Sequence, residues 1–403
     1  MYKRQHYNSA IWNNALWSIR TRLAQIDGDP GTTSALAHSF DRAVYGALTR
    51  LTPTSGYFDA RSAVEQVIID SGLDPVVLRI AREVFDQNKI CSGCPGNTEL
   101  AGDVVTSASQ TQQHPKISGD RVAWLDLSGG NQIFGYVATA GVDGGSPSLS
   151  AADDVVDVAF AGQALLTLDA FGNLERTVGA DTQPLDTYQQ QAPYDAAIVA
   201  GLGGSEQGAA WMSSAGTVRY VDAAGQVSEA EVGGTGGDPV AAVATGGGTV
   251  AVGTTRGRIL TWTPGAGGFR EVSTVAARVF DIATNGSDVL VVDKARHTTW
   301  VRADGQRVPV SSNALPFGAA MSDEYAVWSE STGALQSDVV PENSSSFSDT
   351  DLYVLSLATG KIYDVTPAEG QQGFPSISGR RLVWQDAAFG GDDIFTKVLP
   401  AGL

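Results

Sequence analysis

Two hydrophobic rhythms divide this chain. Up to about residue 90, apolar side chains recur every third or fourth position. Ile11, Trp12, Ala15, Leu16, Ile19, Leu23 and Ile26 share one stripe, which predicts an amphipathic helix over 8–26. "DGDPG" (27–31) is a turn; its two aspartates could invite calcium, but helix punctuation accounts for them. A second helix is expected from about Thr32, with Leu36, Phe40, Val44, Ala47, Leu48 and Leu51 on one face. "LTPTSGYFDAR" leads into a third helix over 58–71, and Pro75 opens a fourth in "DPVVLRIAREVFDQ", where its missing N–H costs nothing. Such stripes can bury one another, but an all-α piece of about 85 residues is marginal alone.

Past Cys94 the period changes to short, Gly-punctuated segments of β-branched and alternating residues. "HPKISGDRVAWLD" with "NQIFGYV" (114–137) is repeated as "FPSISGRRLVWQD" with "DDIFTKV" (374–398). A third copy spans 316–366, and weaker copies start near Asp153, Tyr194, Asp238 and Val279. A period of about 35–55 residues suits a four-stranded propeller blade. The expectation is therefore a mainly β chain: a seven-bladed β-propeller preceded by a small all-α subdomain, with six or eight blades as alternatives. The last unit has room for three strands, and "GDVVTSAS" within 102–109 is the expected fourth, closing the ring and removing its exposed edges. The expected domains are a junction (1–5), a helical piece (6–90), a linker (91–101) and the propeller (102–403). The "P-x-I-S-G…VxW" units resemble TolB-like propellers, a likeness of architecture rather than activity.

Charge sharpens the division. Residues 1–90 hold ten Lys/Arg and nine Asp/Glu, whereas 91–403 hold sixteen and thirty-five. So acidic a surface repels phosphate backbones, and no nucleic acid is expected as a partner. No apolar run is long enough to span a bilayer, and the expected state is a monomer. Cys91 and Cys94 in "CSGC" cannot complete a four-ligand zinc site and lie near no βαβ pattern. They are read as a small-loop disulfide or two free thiols.

Trp124, Trp328 and Trp384 occupy matching positions, each followed two residues later by an acid: Asp126, Glu330 or Asp386. These acids could ring a metal or cationic ligand at one end of the channel. Because they track the repeat, blade packing with the acid satisfying a turn is favoured. "SDTD" (348–351) and "GGDD" (390–393) are better explained by turn chemistry than by calcium. The polar insertion 342–351 is the expected mobile loop.

"HYNSAIWNNALW" (6–17) resembles a segment of thermolysin-like zinc metallopeptidases, H-x-N-S-G-I-x-N-x-A, with Ala10 at the usual glycine. "LTPTSGYFDARSAV" and "VLRIAREVFDQNKI" resemble the closing helices of the same catalytic domain, so the likeness covers 6–90. It implies that His6 stabilises the oxyanion of the tetrahedral intermediate, a donor aimed at developing charge. It also implies a parent that is a secreted zinc metalloendopeptidase acting on protein or peptide substrates. The family's HExxH and downstream glutamate are absent: the four histidines are His6, His38, His114 and His297. The chain as it stands is therefore expected to hold no zinc and hydrolyse no peptide bond. "MYKRQ" departs from the family pattern and reads as an unrelated junction. On this reading the chain is the C-terminal part of such an enzyme, whose missing half is a candidate partner. The alternative is a non-enzymatic propeller binding protein.

Overall fold

The computed structural model describes residues 4–28, 34–52, 57–88, 90, 102–106, 111–127, 135–150, 154–187, 201–214, 216–233, 238–312, 314–315, 318–331, 350–366, 371–386 and 392–403. The chain divides into two compact units, Met1–Leu100 and Ala101–Leu403.

Four helices build the first unit: α1 (Arg4–Ile26), α2 (Ala35–Leu48), α3 (Tyr57–Asp70) and α4 (Pro75–Gln87). α1 begins four residues earlier than the apolar stripe predicts. Their stripes meet in one core in which Ala15, Ile19, Leu23, Phe40, Ile68, Val77 and Phe85 are buried. The start of α2 is set by Ser34, whose Oγ accepts the Ala37 N–H at 3.1 Å and donates to Asp27 at 2.8 Å. Asp27 also accepts the Leu36 N–H, and that bond chiefly holds its carboxyl below the ordinary range. Two of the four orphan donors at the helix start are thereby satisfied. Glu65 on α3 joins Arg61 at 2.6 Å to Arg82 of α4 at 2.8 Å.

The second unit is a propeller of seven four-stranded antiparallel sheets. Blade I comprises β2 (Gln112–Ser118), β3 (Arg121–Asp126), β4 (Tyr136–Gly141) and β5 (Gly144–Leu149). Blade II runs from β6 (Val155–Ala161) through β7 (Ala164–Asp169) and β8 (Asn173–Val178) to β9 (Asp181–Thr187). Blade III has β10 (Leu202–Gly204), β11 (Gly208–Ser214), β12 (Thr217–Asp222) and β13 (Val227–Glu231). Blade IV has β14 (Val240–Gly246), β15 (Thr249–Thr254), β16 (Arg258–Trp262) and β17 (Arg270–Thr274). Blade V has β18 (Val279–Thr284), β19 (Val289–Asp293), β20 (Thr298–Val301) and β21 (Arg307–Ser311). Blade VI has β22 (Ala320–Met321), β23 (Tyr325–Ser331), β24 (Thr350–Ser356) and β25 (Ile362–Asp364).

Blade VII takes three strands from the end of the chain, β26 (Gln372–Ser378), β27 (Arg381–Asp386) and β28 (Asp393–Val398). Its outer strand is β1 (Asp103–Thr106), paired antiparallel to β28 with Asp103 opposite Thr396 and Val104 opposite Phe395. Pairing an N-terminal strand with a C-terminal sheet makes the ring continuous. Blade VII also meets blade I through its inner strand, where the Ser376 and Ser378 hydroxyls accept the N–H groups of Ile117 and Gly119. Second strands carry most of the core: Trp124, Trp328 and Trp384 are fully buried, each between its own sheet and a neighbour. Sheet stacking buries these large rings at about 25 cal/mol per Å2 of apolar surface.

Candidate functional site

Each blade sends its first strand along the channel and turns into its second through a tight hairpin. In blades I, II, IV and VII the last pairs before the turn are Ser118–Arg121, Ala161–Ala164, Gly246–Thr249 and Ser378–Arg381. Blades III and VI close the same way through Ser205–Gly208 and Ser322–Tyr325. Four residues upstream of each pair lie His114, Asp157, Gly201, Ala242, Gly318 and Phe374, roughly 13 Å from the hairpin end at strand rise. Blade V reaches the same level at Asp281 with a longer hairpin, just after a bulge matching those before Asp157 and Ala242.

This inner ring is where blade joins blade. Asp157 accepts the Leu202 N–H of blade III through Oδ2 and its neighbour Val158 N–H through Oδ1, both at 2.8 Å. Asp281 does the same toward blade VI: Oδ2 accepts the Gly318 and Ala319 N–H groups, both at 2.7 Å, and Oδ1 accepts Ile282 at 2.8 Å. Burial pushes the Asp281 carboxyl above the ordinary range, opposed by those three bonds and by the charge of Lys116. Gly318 sits at φ +99°, and a Cβ there would come within 2.2 Å of Pro375 Cδ, so only glycine fits.

His114 and Phe374, both followed by proline, share a left-handed backbone at φ 53° and 52°. Their rings pack with centroids 4.3 Å apart across the seam between blades I and VII. Burial drives the His114 imidazole down to about 4, so it is neutral at pH 7; the charge of Lys116 acts the same way and Asp157 opposes it.

Lys116 lies between this ring and the hairpin end. Its charge acts on His114 in its own blade and on Asp281 in blade V. Blades I and V are three apart, the greatest separation in a ring of seven, so the charge acts across the channel. The Asp281 carboxylate on which it acts is occupied by backbone N–H groups, and Lys116 makes no hydrogen bond or ion pair among the described residues. At the hairpin end itself, Ser378 of blade VII donates to Glu206 of blade III, again three blades away. That bond bridges the channel axis.

The sequence-derived candidates fall elsewhere. Asp126, Glu330 and Asp386 close the second strands of blades I, VI and VII, one strand away from the channel. Glu330 accepts the Trp328 indole N–H at 2.6 Å, and Asp386 accepts that of Trp384 at 2.9 Å and Gln372 at 3.4 Å. In blade I the indole N–H of Trp124 finds no acceptor among the described residues, although Asp126 stands at the matching position. Among the described residues no group of three or more His, Cys, Asp or Glu is placed to hold a metal. His38 lies 3.8 Å from Asp41, which also pairs with Arg20 at 3.3 Å, and His297 lies 3.7 Å from Asp293. These residues do not fit the zinc site of a metallopeptidase. His6 falls within α1, and its side chain lies outside the described residues, as do Cys91, Cys94 and most of the 342–351 insertion. Alignment by hairpin register brings His114, Lys116, Asp157 and Asp281 together, and of these Lys116 has no counterpart in the other blades.

No family model and no curated protein matches the chain. Among solved structures, the β-propeller domain of the Trilobed protease from Pyrococcus furiosus is similar over 71% of this chain and 95% of that one, with TM-score 0.50 and 10% identity. YCF48 from Cyanidioschyzon merolae is similar over 75% and 99%, with TM-score 0.48 and 12% identity. BamB from Moraxella catarrhalis is similar over 69% and 82%, with TM-score 0.45 and 12% identity. At these identities the likeness concerns the fold alone. None of these comparisons supports a thermolysin-like domain at 6–90.

Proposed function

We propose that this chain is a polypeptide-binding module rather than a hydrolase, with the propeller channel as its recess. One observation carries the reading: the Glu206–Ser378 bridge crosses the axis at the hairpin end, so a partner would enter the channel from the other end. Pairing of β1 with β28 completes blade VII as a four-stranded sheet like the other six, and the short outer edges that remain are a poor template for adding a partner's strand. Binding then falls to the channel and to the loops around its open mouth, where propellers of many activities differ. The acidic propeller favours a partner with a basic surface, which it attracts at long range in low salt.

The test is a selection of random-sequence peptides on the full chain, followed by anisotropy titration of the recovered peptides. The reading expects saturable binding that weakens at least tenfold in Lys116→Trp, whose bulk fills the recess. Binding indifferent to that substitution, or cleavage of the peptides, would overturn it. Residues 6–90 are the sole support for the metallopeptidase reading, in which His6 and a zinc-bearing partner half would complete a catalytic site. The metal-ligand set that such a site needs is missing from this sequence.

A further inference from the structure

Lys116, half-buried on the inner strand of blade I, is a cation without a bonded partner among the described residues, and its surroundings narrow what it can meet. The two acids of the inner ring are already bonded to backbone N–H groups. Asp157 spends both oxygens on the N–H groups of Val158 and Leu202, and Asp281 spends its own on Ile282, Gly318 and Ala319. At the ring level, blades III, IV and VI present only Gly201, Ala242 and Gly318, and the acid across from blade I is Asp281 of blade V. A half-buried ammonium group in such a place gains from a charge-assisted partner.

We propose that the propeller channel holds a site for a small anionic group, a carboxylate or a phosphate, with Lys116 as its recognising cation. The neutral imidazole of His114, two residues before Lys116 in β2, offers one N–H donor; its packing on Phe374 holds the ring in place. The Glu206–Ser378 bridge floors the site, placing a second acid at the bottom and limiting how deep an anion can go. This site does not depend on a polypeptide entering the recess.

The experiment is thermal unfolding of the full chain in sodium acetate, sodium phosphate and sodium chloride at matched ionic strength. Wild type, Lys116→Met and Lys116→Arg are compared, and wild type is also titrated with acetate and with phosphate by calorimetry. A ligand that binds only the folded chain raises Tm by mass action, by about 3 °C or more at a hundredfold excess over Kd. The expected result is a saturable rise in acetate or phosphate beyond that in chloride, kept by Lys116→Arg and lost in Lys116→Met. A response to acetate alone assigns a carboxylate, and one to phosphate alone a phosphate. The proposal fails if both anions act no differently from chloride, or if Lys116→Met responds as wild type does. Should Lys116→Met not fold, no saturable heat for either anion with wild type overturns it equally. Because Lys116→Met removes charge and Lys116→Trp adds bulk, loss of the anion site and loss of peptide binding are read separately.

Discussion

Replacing Asp281 by alanine removes the acceptor for three backbone N–H groups and opens the join between blades V and VI. Two of those donors, Gly318 and Ala319, belong to the next blade, so the loss is of tertiary structure. A donor left buried without an acceptor costs about 1–3 kcal/mol. Part of that is returned because a desolvated carboxylate no longer has to be buried. The net expectation for Asp281→Ala is a loss of about 3 kcal/mol. The variant should still fold, because blade IV carries Ala242 at the same level. Asp281→Asn keeps one carbonyl oxygen for Gly318 or Ala319 but turns an N–H toward Ile282, for a loss of about 1 kcal/mol.

The pH dependence separates the charge from the bonds. Burial raises the Asp281 pKa in the folded chain, so the folded state holds that proton more tightly than the unfolded one. Its contribution is then full below the ordinary Asp value of 3.8 and is lost as pH rises through the raised folded value. The advantage of wild type over Asp281→Asn should be largest at low pH and shrink as pH increases. Urea unfolding followed by tryptophan fluorescence at several pH values measures both effects. A loss below about 0.5 kcal/mol for Asp281→Ala, within the range of ordinary surface substitutions, would refute the clamp.

Three further outcomes follow from the same structure. His114→Phe copies the residue that Phe374 already provides at the same φ, so the variant should fold. Wild type loses stability as pH falls from 6.5 to about 4 because the unfolded chain takes up the proton first, and His114→Phe should flatten that slope in pH-resolved urea unfolding. Val105→Ala in the closing strand, at a position 3% exposed, should cost about 2 kcal/mol, whereas Phe171→Ser at a site 72% exposed should cost almost nothing; equal effects in chemical denaturation would argue against a ring closed by β1. Purified chain should carry no stoichiometric zinc by elemental analysis and should not hydrolyse casein; zinc-dependent hydrolysis would restore the enzymatic reading.

The fold was largely legible because its units repeat. The "HPKISGDRVAW" and "FPSISGRRLVW" copies fall on the inner hairpins of blades I and VII, and the seven blades correspond to the seven repeats. Helix stripes such as Ala15–Ile19–Leu23 were readable for a similar reason, since a 3.6-residue period records which face is buried. The channel was not legible. Asp157 and Asp281 stand in "VVDVAF" and "VFDIAT", where an acid in a strand resembles any polar interruption, and their acceptor role appears only when the neighbouring blade is in place. Lys116 has no counterpart in the other repeats, so a search for periodic residues passes over it. Conversely, the acids of the Trp-x-acid repeat stood out because they recur. In blades VI and VII, what they accept is an indole N–H.

The central claim is that the recess receives a polypeptide. The most direct test is anisotropy titration of a selected, fluorescein-labelled peptide with the full chain and with Lys116→Trp, both shown to be folded. The account predicts a saturable curve for wild type and at least tenfold weaker binding for the variant. Superimposable curves would contradict it.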